Sequence, residues 1–256
     1  MGKYRKLTQR RNWAWWLVVP VVKPVLLATT EQEWVDGDKI PATGGCIVVL
    51  NHVSHIDPLT TSHFVWDYGR LPMFLAKASL FKNKALGFFL RGAGQIPVER
   101  ASTAATNAFQ AAVDAVHDGK LIVVYPEGSI TKDPAGWPMV GKSGAARIAL
   151  ATGCPVIPVG QWGAQDLLPP YGKPNLRGGR KLVRMKVGDP VELADLVARE
   201  REHHSPEAVR EATDRIMAAI TGLVAEVRGE TAPAERFDPK KAGVAATGNP
   251  NAKKKK

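Results

Sequence analysis

The chain has 256 residues, 45% of them hydrophobic, which is enough for one substantial buried core with appendages. Its formal net charge of +11 sits at the ends: Lys3, Arg5, Lys6, Arg10 and Arg11 in residues 1–11, and Lys240, Lys241 and Lys253 to Lys256 in residues 240–256, with no acid in either stretch. A nucleic-acid-binding domain carries its basic excess on the folded body, where it can follow phosphates, so nucleic acid is excluded as a partner and an anionic membrane surface is favoured.

In chain order, the first apolar stretch is Asn12 to Ala28 (NWAWWLVVPVVKPVLLA). Lys23, Pro20 and Pro24 interrupt it, no small-residue cleavage site follows, and a spanning helix needs about 20 uninterrupted apolar residues. Trp13, Trp15, Trp16 and Trp34 are residues that settle at the headgroup level, and Lys23 can snorkel toward it. Residues 1–35 therefore read as a basic, Trp-rich, membrane-associating segment lying in the plane of the bilayer on the cytoplasmic face of the cell membrane, against the alternative of a helix packed on the protein's own core.

Residues 36–228 alternate short apolar runs with helical stretches. Cys46 to Leu50, Met73 to Ala76, Gln95 to Val98, Leu121 to Tyr125, Val156 to Gly160 and Leu182 to Val187 suit buried strands. Leu59 to Tyr68, Lys82 to Arg91, Ser102 to Asp118, Ser143 to Thr152 and Pro206 to Arg228 suit helices. The expected fold is α/β, a mainly parallel central sheet flanked by helices, with ligands collecting at the C-terminal ends of the strands. Residues 229–256 have few large apolar groups and several turn-formers, and read as a disordered basic tail. Cys46 and Cys154 are too few for a disulfide framework and read as buried free thiols.

The chemistry sits at those strand ends. Cys46 to Leu50 runs into Asn51-His52-Val53-Ser54-His55-Ile56-Asp57, where a His and an Asp five apart on a strand-to-helix turn can share one imidazole nitrogen and leave the other to take a proton. A structural pair is the competing reading. Neither a Cys cluster nor a His-Glu-x-x-His helix accompanies His52 and His55, so no metal is expected, and Ser54 lacks a nucleophile elbow. Gly94 to Arg100 ends in a guanidinium suited to phosphate. Glu127, in Tyr125-Pro126-Glu127-Gly128-Ser129, either orients a polyol or braces its loop.

These stretches, together with Val156-Ile157-Pro158-Val159, resemble in order and spacing the four motifs of the lysophosphatidic acid acyltransferase family over residues 45 to 190. The resemblance implies an α/β acyltransferase that moves an acyl group from acyl-CoA or acyl-carrier protein to the free hydroxyl of a lysophospholipid at a membrane, with neither cofactor nor acyl-enzyme. It implies His52 as general base oriented by Asp57, Arg100 on the acceptor phosphate, and Glu127, Gly128 and Ser129 placing the glycerol. The strand around Pro158 would line the acyl or oxyanion side. Where the family commonly has an Arg after the Glu-Gly pair this chain has Ile130, which leaves a different glycerol-phosphate or glycolipid acceptor open.

One motif competes. Gly136 followed by Gly141-Lys142-Ser143 fits the phosphate-loop pattern of nucleotide hydrolases, but that loop must leave a strand directly, and the residues before it are polar. Lys142, at the start of a small-residue helix, is instead a candidate second phosphate clamp beside Arg100. A lipid-binding scaffold with a dead site is disfavoured by the presence of both His52 and Asp57.

Overall fold

A computed structural model describes residues 4–99, 103–203, 205–245 and 248. Seven strands form one sheet: β1 (Thr30–Val35), β2 (Cys46–Leu50), β3 (Pro72–Lys77), β4 (Ile96–Val98), β5 (Leu121–Val124), β6 (Val156–Trp162) and β7 (Lys181–Val187). Their order is β1-β7-β6-β2-β5-β3-β4, parallel throughout except where β6 meets β7. The α/β expectation with a mainly parallel sheet holds.

β2 shows why its sequence reads as an unbroken apolar run. Every residue in it is buried, because alternate side chains enter different cores. Ile47 and Val49 join Ile122 and Val124 beneath α4 (Thr103–His117), α5 (Gly144–Thr152) and α8 (Pro206–Arg228), meeting Ala112, Ile148 and Ile216. Cys46, Val48 and Leu50 face the other way and pack with Phe64 and Val65 of α2 (Asp57–Asp67). α1 (Trp13–Thr29) packs against α2 and against α3 (Lys84–Gly92), and Gly92 lets the Trp13 ring sit against α3: a Cβ there would stand 2.2 Å from it.

Several expectations change. Thr30–Val35, read as part of the N-terminal segment, is strand β1 and pairs with β7 along the sheet edge. The helix expected over Lys82 to Arg91 is a 3-10 turn, Ala78–Lys82, followed by α3, because the Asn83 side chain caps the Leu86 amide and restarts the helix. The short α6 (Ala164–Leu167) and the charged α7 (Ala194–His203) carry too little apolar patterning to read as elements. Cys154 is only partly buried.

The N-terminal segment is wired to the body more than its composition suggests. Trp15 and Trp34 are buried, not at a surface, and Lys23 turns inward to Asp67 at 2.6 Å instead of snorkelling outward. Arg5 donates to the carbonyls of Asp38 and Ile40. Residues past 228 are also engaged: the Val140 amide donates to the Phe237 carbonyl at 3.0 Å and Arg236 pairs with Asp214. Backbone pairing anchors this stretch where side-chain hydrophobicity alone gave no sign of it. No described helix is long and apolar enough to cross a membrane.

Candidate active site

β2, central in the sheet, ends at Leu50, and the chain turns through residues 51–56 into α2. Asp57 sits at the start of that helix, fully buried. Its Oδ2 accepts three hydrogen bonds, from the amides of Val53 and Ser54 at 2.7 and 2.8 Å and from His52 Nδ1 at 2.7 Å. The carboxylate therefore shapes the turn and selects, in the neutral imidazole, the tautomer with its proton on Nδ1 and the lone pair on Nε2. Tyr125 stacks on the His52 ring with centroids 4.4 Å apart, and its hydroxyl is tied to Thr61.

A second loop, leaving β5, holds the first. The His52 amide donates to Glu127 Oε1 at 2.8 Å, the Met139 amide donates to Oε2 at 3.0 Å, and the Thr131 amide returns to the His52 carbonyl at 2.8 Å. Gly128 makes the turn possible with φ +69°. Burial pushes the Glu127 carboxyl up to about 8, against the pull of the two amides. Behind the site, the Asn51 and Gln161 side chains clamp the ends of β2 and β6 through three hydrogen bonds, at 2.9, 2.9 and 2.5 Å.

His52 opens onto a cavity of about 1200 Å³. Its walls are largely apolar, with Val18 and Val22 from α1, Leu59 from α2 and Phe89 from α3. Lys77, Lys142 and Ser129 bring polar groups to the same cavity. The arrangement is a carboxylate-held imidazole at the edge of a largely apolar chamber with cations on its lining, suited to an amphiphile that carries an anion.

His52 and Asp57 thus come together as expected. Gly128, Ser129 and Lys142 line the cavity, while Arg100 lies outside the described residues. Two residues are not where a substrate would meet them. Glu127 is 1% exposed with both oxygens held by backbone amides, so it braces loops and does not line the cavity. Pro158 is buried mid-sheet in register with Val49 of β2. Its carbonyl takes the Gly188 amide on the β7 side, so the N–H that proline lacks would face the point where β7 has ended, and the strand tolerates it. The wall assigned to that strand is supplied by the helices instead.

Ser54 is no nucleophile, since its hydroxyl donates to the Leu168 carbonyl at 2.6 Å. Gly136 turns at φ +77° well after β5 has ended at Val124, so no strand feeds the Gly136 to Ser143 loop and it is not a nucleotide cradle. Tyr125 and Gln161 escaped the sequence reading. A glutamine inside Val156–Trp162, an otherwise buried run, was the available signal, because a buried amide demands partners.

The acyltransferase family model matches residues 33–162. The 1-acyl-sn-glycerol-3-phosphate acyltransferase of Bacillus subtilis is 26% identical over 161 residues, 62% of this chain and 72% of that protein. The protein of the same name from Borreliella burgdorferi is 31% identical over 123 residues, 48% of this chain and 47% of that one. The chloroplastic enzyme of Brassica napus is 27% identical over 167 residues and is covered over 46% of its length. Among solved structures, the 1-acyl-sn-glycerophosphate acyltransferase of Thermotoga maritima superimposes with a TM-score of 0.60 over 84% of this chain and 80% of that one, at 23% identity, which speaks for a shared fold. With the matched region running from β1 to the end of β6 and enclosing both the His52–Asp57 turn and the loop that holds it, this chain belongs to the acyltransferase family.

Proposed function

We propose that the protein acylates the free hydroxyl of lysophosphatidic acid, or of a closely related lysophospholipid, using acyl-CoA or acyl-carrier protein as donor and giving a phosphatidic-acid-type lipid. The observation that carries this is the His52–Asp57 pair, Nδ1 to Oδ2 2.7 Å, opening onto an apolar chamber large enough for an acyl chain. The names of the relatives support the acceptor.

In the reaction His52 Nε2 removes the proton of the acceptor hydroxyl as its oxygen attacks the thioester carbonyl carbon. The C–S bond breaks, the imidazolium returns its proton to the leaving sulfur, and an ester and a free thiol result. Asp57 stabilises the imidazolium throughout. The apolar walls hold the acyl chain, and Lys142 and Arg100 hold the acceptor phosphate.

The enzyme works as a peripheral, monotopic protein on the cytoplasmic face of the membrane. α1 supports this with an exposed stripe of Trp16, Leu17, Val21 and Val25, continued by Phe88 of α3. Pro20 and Pro24 lie on the same stripe, and each removes a helix hydrogen bond, leaving the carbonyls of Trp16 and Pro20 in need of water. That suits the headgroup layer rather than the hydrocarbon centre.

The test is thiol release by purified protein given lysophosphatidic acid and acyl-CoA. His52→Ala should lose about 10²- to 10⁴-fold in kcat, and Lys142→Ala should raise the acceptor KM. A fully active His52→Ala protein, or a wild type that releases no thiol with any lysophospholipid, overturns the reading.

A further inference from the structure

Lys132 is placed unlike a surface lysine. It is 8% exposed, and among the described residues its ammonium meets no carboxylate. Nζ donates to the Tyr171 hydroxyl and, at 2.6 Å, to the carbonyl of Gly248, to which the Tyr171 hydroxyl also donates at 2.7 Å. A buried ammonium satisfied only by neutral acceptors keeps most of its desolvation cost, so an anion that took the carbonyl's place would be favoured.

Three features fix the geometry. Tyr171 holds φ +58°, a left-handed conformation disfavoured for a residue with a Cβ, and its ring meets His55 edge-on with centroids 5.1 Å apart. Lys132 follows directly on Thr131, whose amide is bonded to the His52 carbonyl, so the ammonium is tied to the loop that carries the base. His55, Tyr171 and Gly248 all line the cavity that His52 lines. The His55 pKa lies below its usual value, first through burial and then through His52, with Asp57 opposing and Lys132 adding a smaller part.

We propose that Lys132 and Tyr171 form a binding subsite for a phosphate monoester at the rim of the catalytic cavity, and that the carbonyl of Gly248 fills this place until the ligand arrives. The ligand displaces the Gly248 carbonyl and accepts from both Nζ and the tyrosine hydroxyl. The inference rests on the acyl-transfer reading only for the source of the phosphate, which is then either the acceptor's headgroup or the 3′-phosphate of coenzyme A.

Isothermal titration of the full chain with sn-glycerol 3-phosphate, coenzyme A and 3′-dephospho-coenzyme A tests it without turnover. Lys132→Gln and Tyr171→Phe should each weaken one phosphate-bearing probe, by about 10-fold or more for the lysine, while Lys132→Arg retains binding and 3′-dephospho-coenzyme A is unaffected. A loss with glycerol 3-phosphate assigns the subsite to the acceptor; a loss with coenzyme A assigns it to the donor. A chain ending at Ala245 should bind the same probe several-fold tighter. Equal binding of all three probes by wild type and Lys132→Gln overturns the subsite, and unchanged affinity in the shortened chain overturns the part given to Gly248. A protein that shows this Lys132 dependence but releases no thiol from any lysophospholipid would sink the acyl-transfer reading and leave the subsite standing.

Discussion

At the residue scale, the reactive geometry depends on carboxylates that never touch the cavity. Asp57 spends one oxygen on two amides and the imidazole, so its removal costs both the turn and the tautomer. Glu127 spends each oxygen on the amide of a different loop. Its folded pKa is raised to about 8 by burial, above its unfolded value of about 4.5, so its contribution to stability is fully present below pH 4.5 and is lost as pH rises through 8. The melting temperature should therefore fall between pH 5 and pH 8, and Glu127→Gln, which does not titrate, should flatten that slope. A variant with the wild-type slope would show that Glu127 is not the titrating group.

At the element scale, α1 is two-sided. Ala14, Trp15 and Leu26 are buried against the body, and its Val18, Val22 and Lys23 wall the cavity, while Trp16, Leu17, Val21 and Val25 face outward. Deleting the helix would open the chamber, so its membrane role has to be tested on the outer stripe alone. Leu17→Asp with Val21→Asp should lower sedimentation with anionic liposomes about 10-fold or more, since two apolar contacts are lost and two charges added at the surface. Thiol release from a monomeric short-chain lysophospholipid should stay near wild type. Undiminished liposome binding would show that the stripe does not carry the attachment.

At the scale of the whole molecule, the two ends of the parallel sheet do different work. The C-terminal ends of β2 and β5 carry the His52 and Glu127 loops. The N-terminal ends are held by Arg70, fully buried, whose guanidinium donates to the carbonyls of Pro41, Gly44 and Gly119 at 2.6, 2.8 and 3.0 Å. Arg70→Met keeps roughly the volume and takes the donor from three carbonyls on partly buried or exposed residues, which should cost about 1–3 kcal/mol in urea unfolding. Well below the melting temperature kcat should be nearly unchanged, because the site lies at the other edge. A stability within about 0.5 kcal/mol of wild type would mean that water replaces the guanidinium.

The sequence by itself determined the central strands and the position of the His52–Asp57 pair. Short apolar runs bounded by turn-formers mark central strands because both faces of a parallel sheet are buried, and Cys46–Leu50 and Pro206–Arg228 fall where the pattern puts them. His52 and Asp57 are five residues apart on one turn, so their meeting is a local matter. Everything that depended on partners distant in the chain was decided only by the tertiary structure. The polar edge strand Thr30–Val35 exists because β7 offers it a ladder some 150 residues later. Glu127 became a brace because the amides of His52 and Met139 reached it first, and Pro158 left the site because its strand was drawn into the middle of the sheet. The acyl-sized chamber, roofed by a helix that reads as a membrane segment, follows from which face of α1 found the core, and a one-dimensional pattern apolar on every side carries no record of that choice.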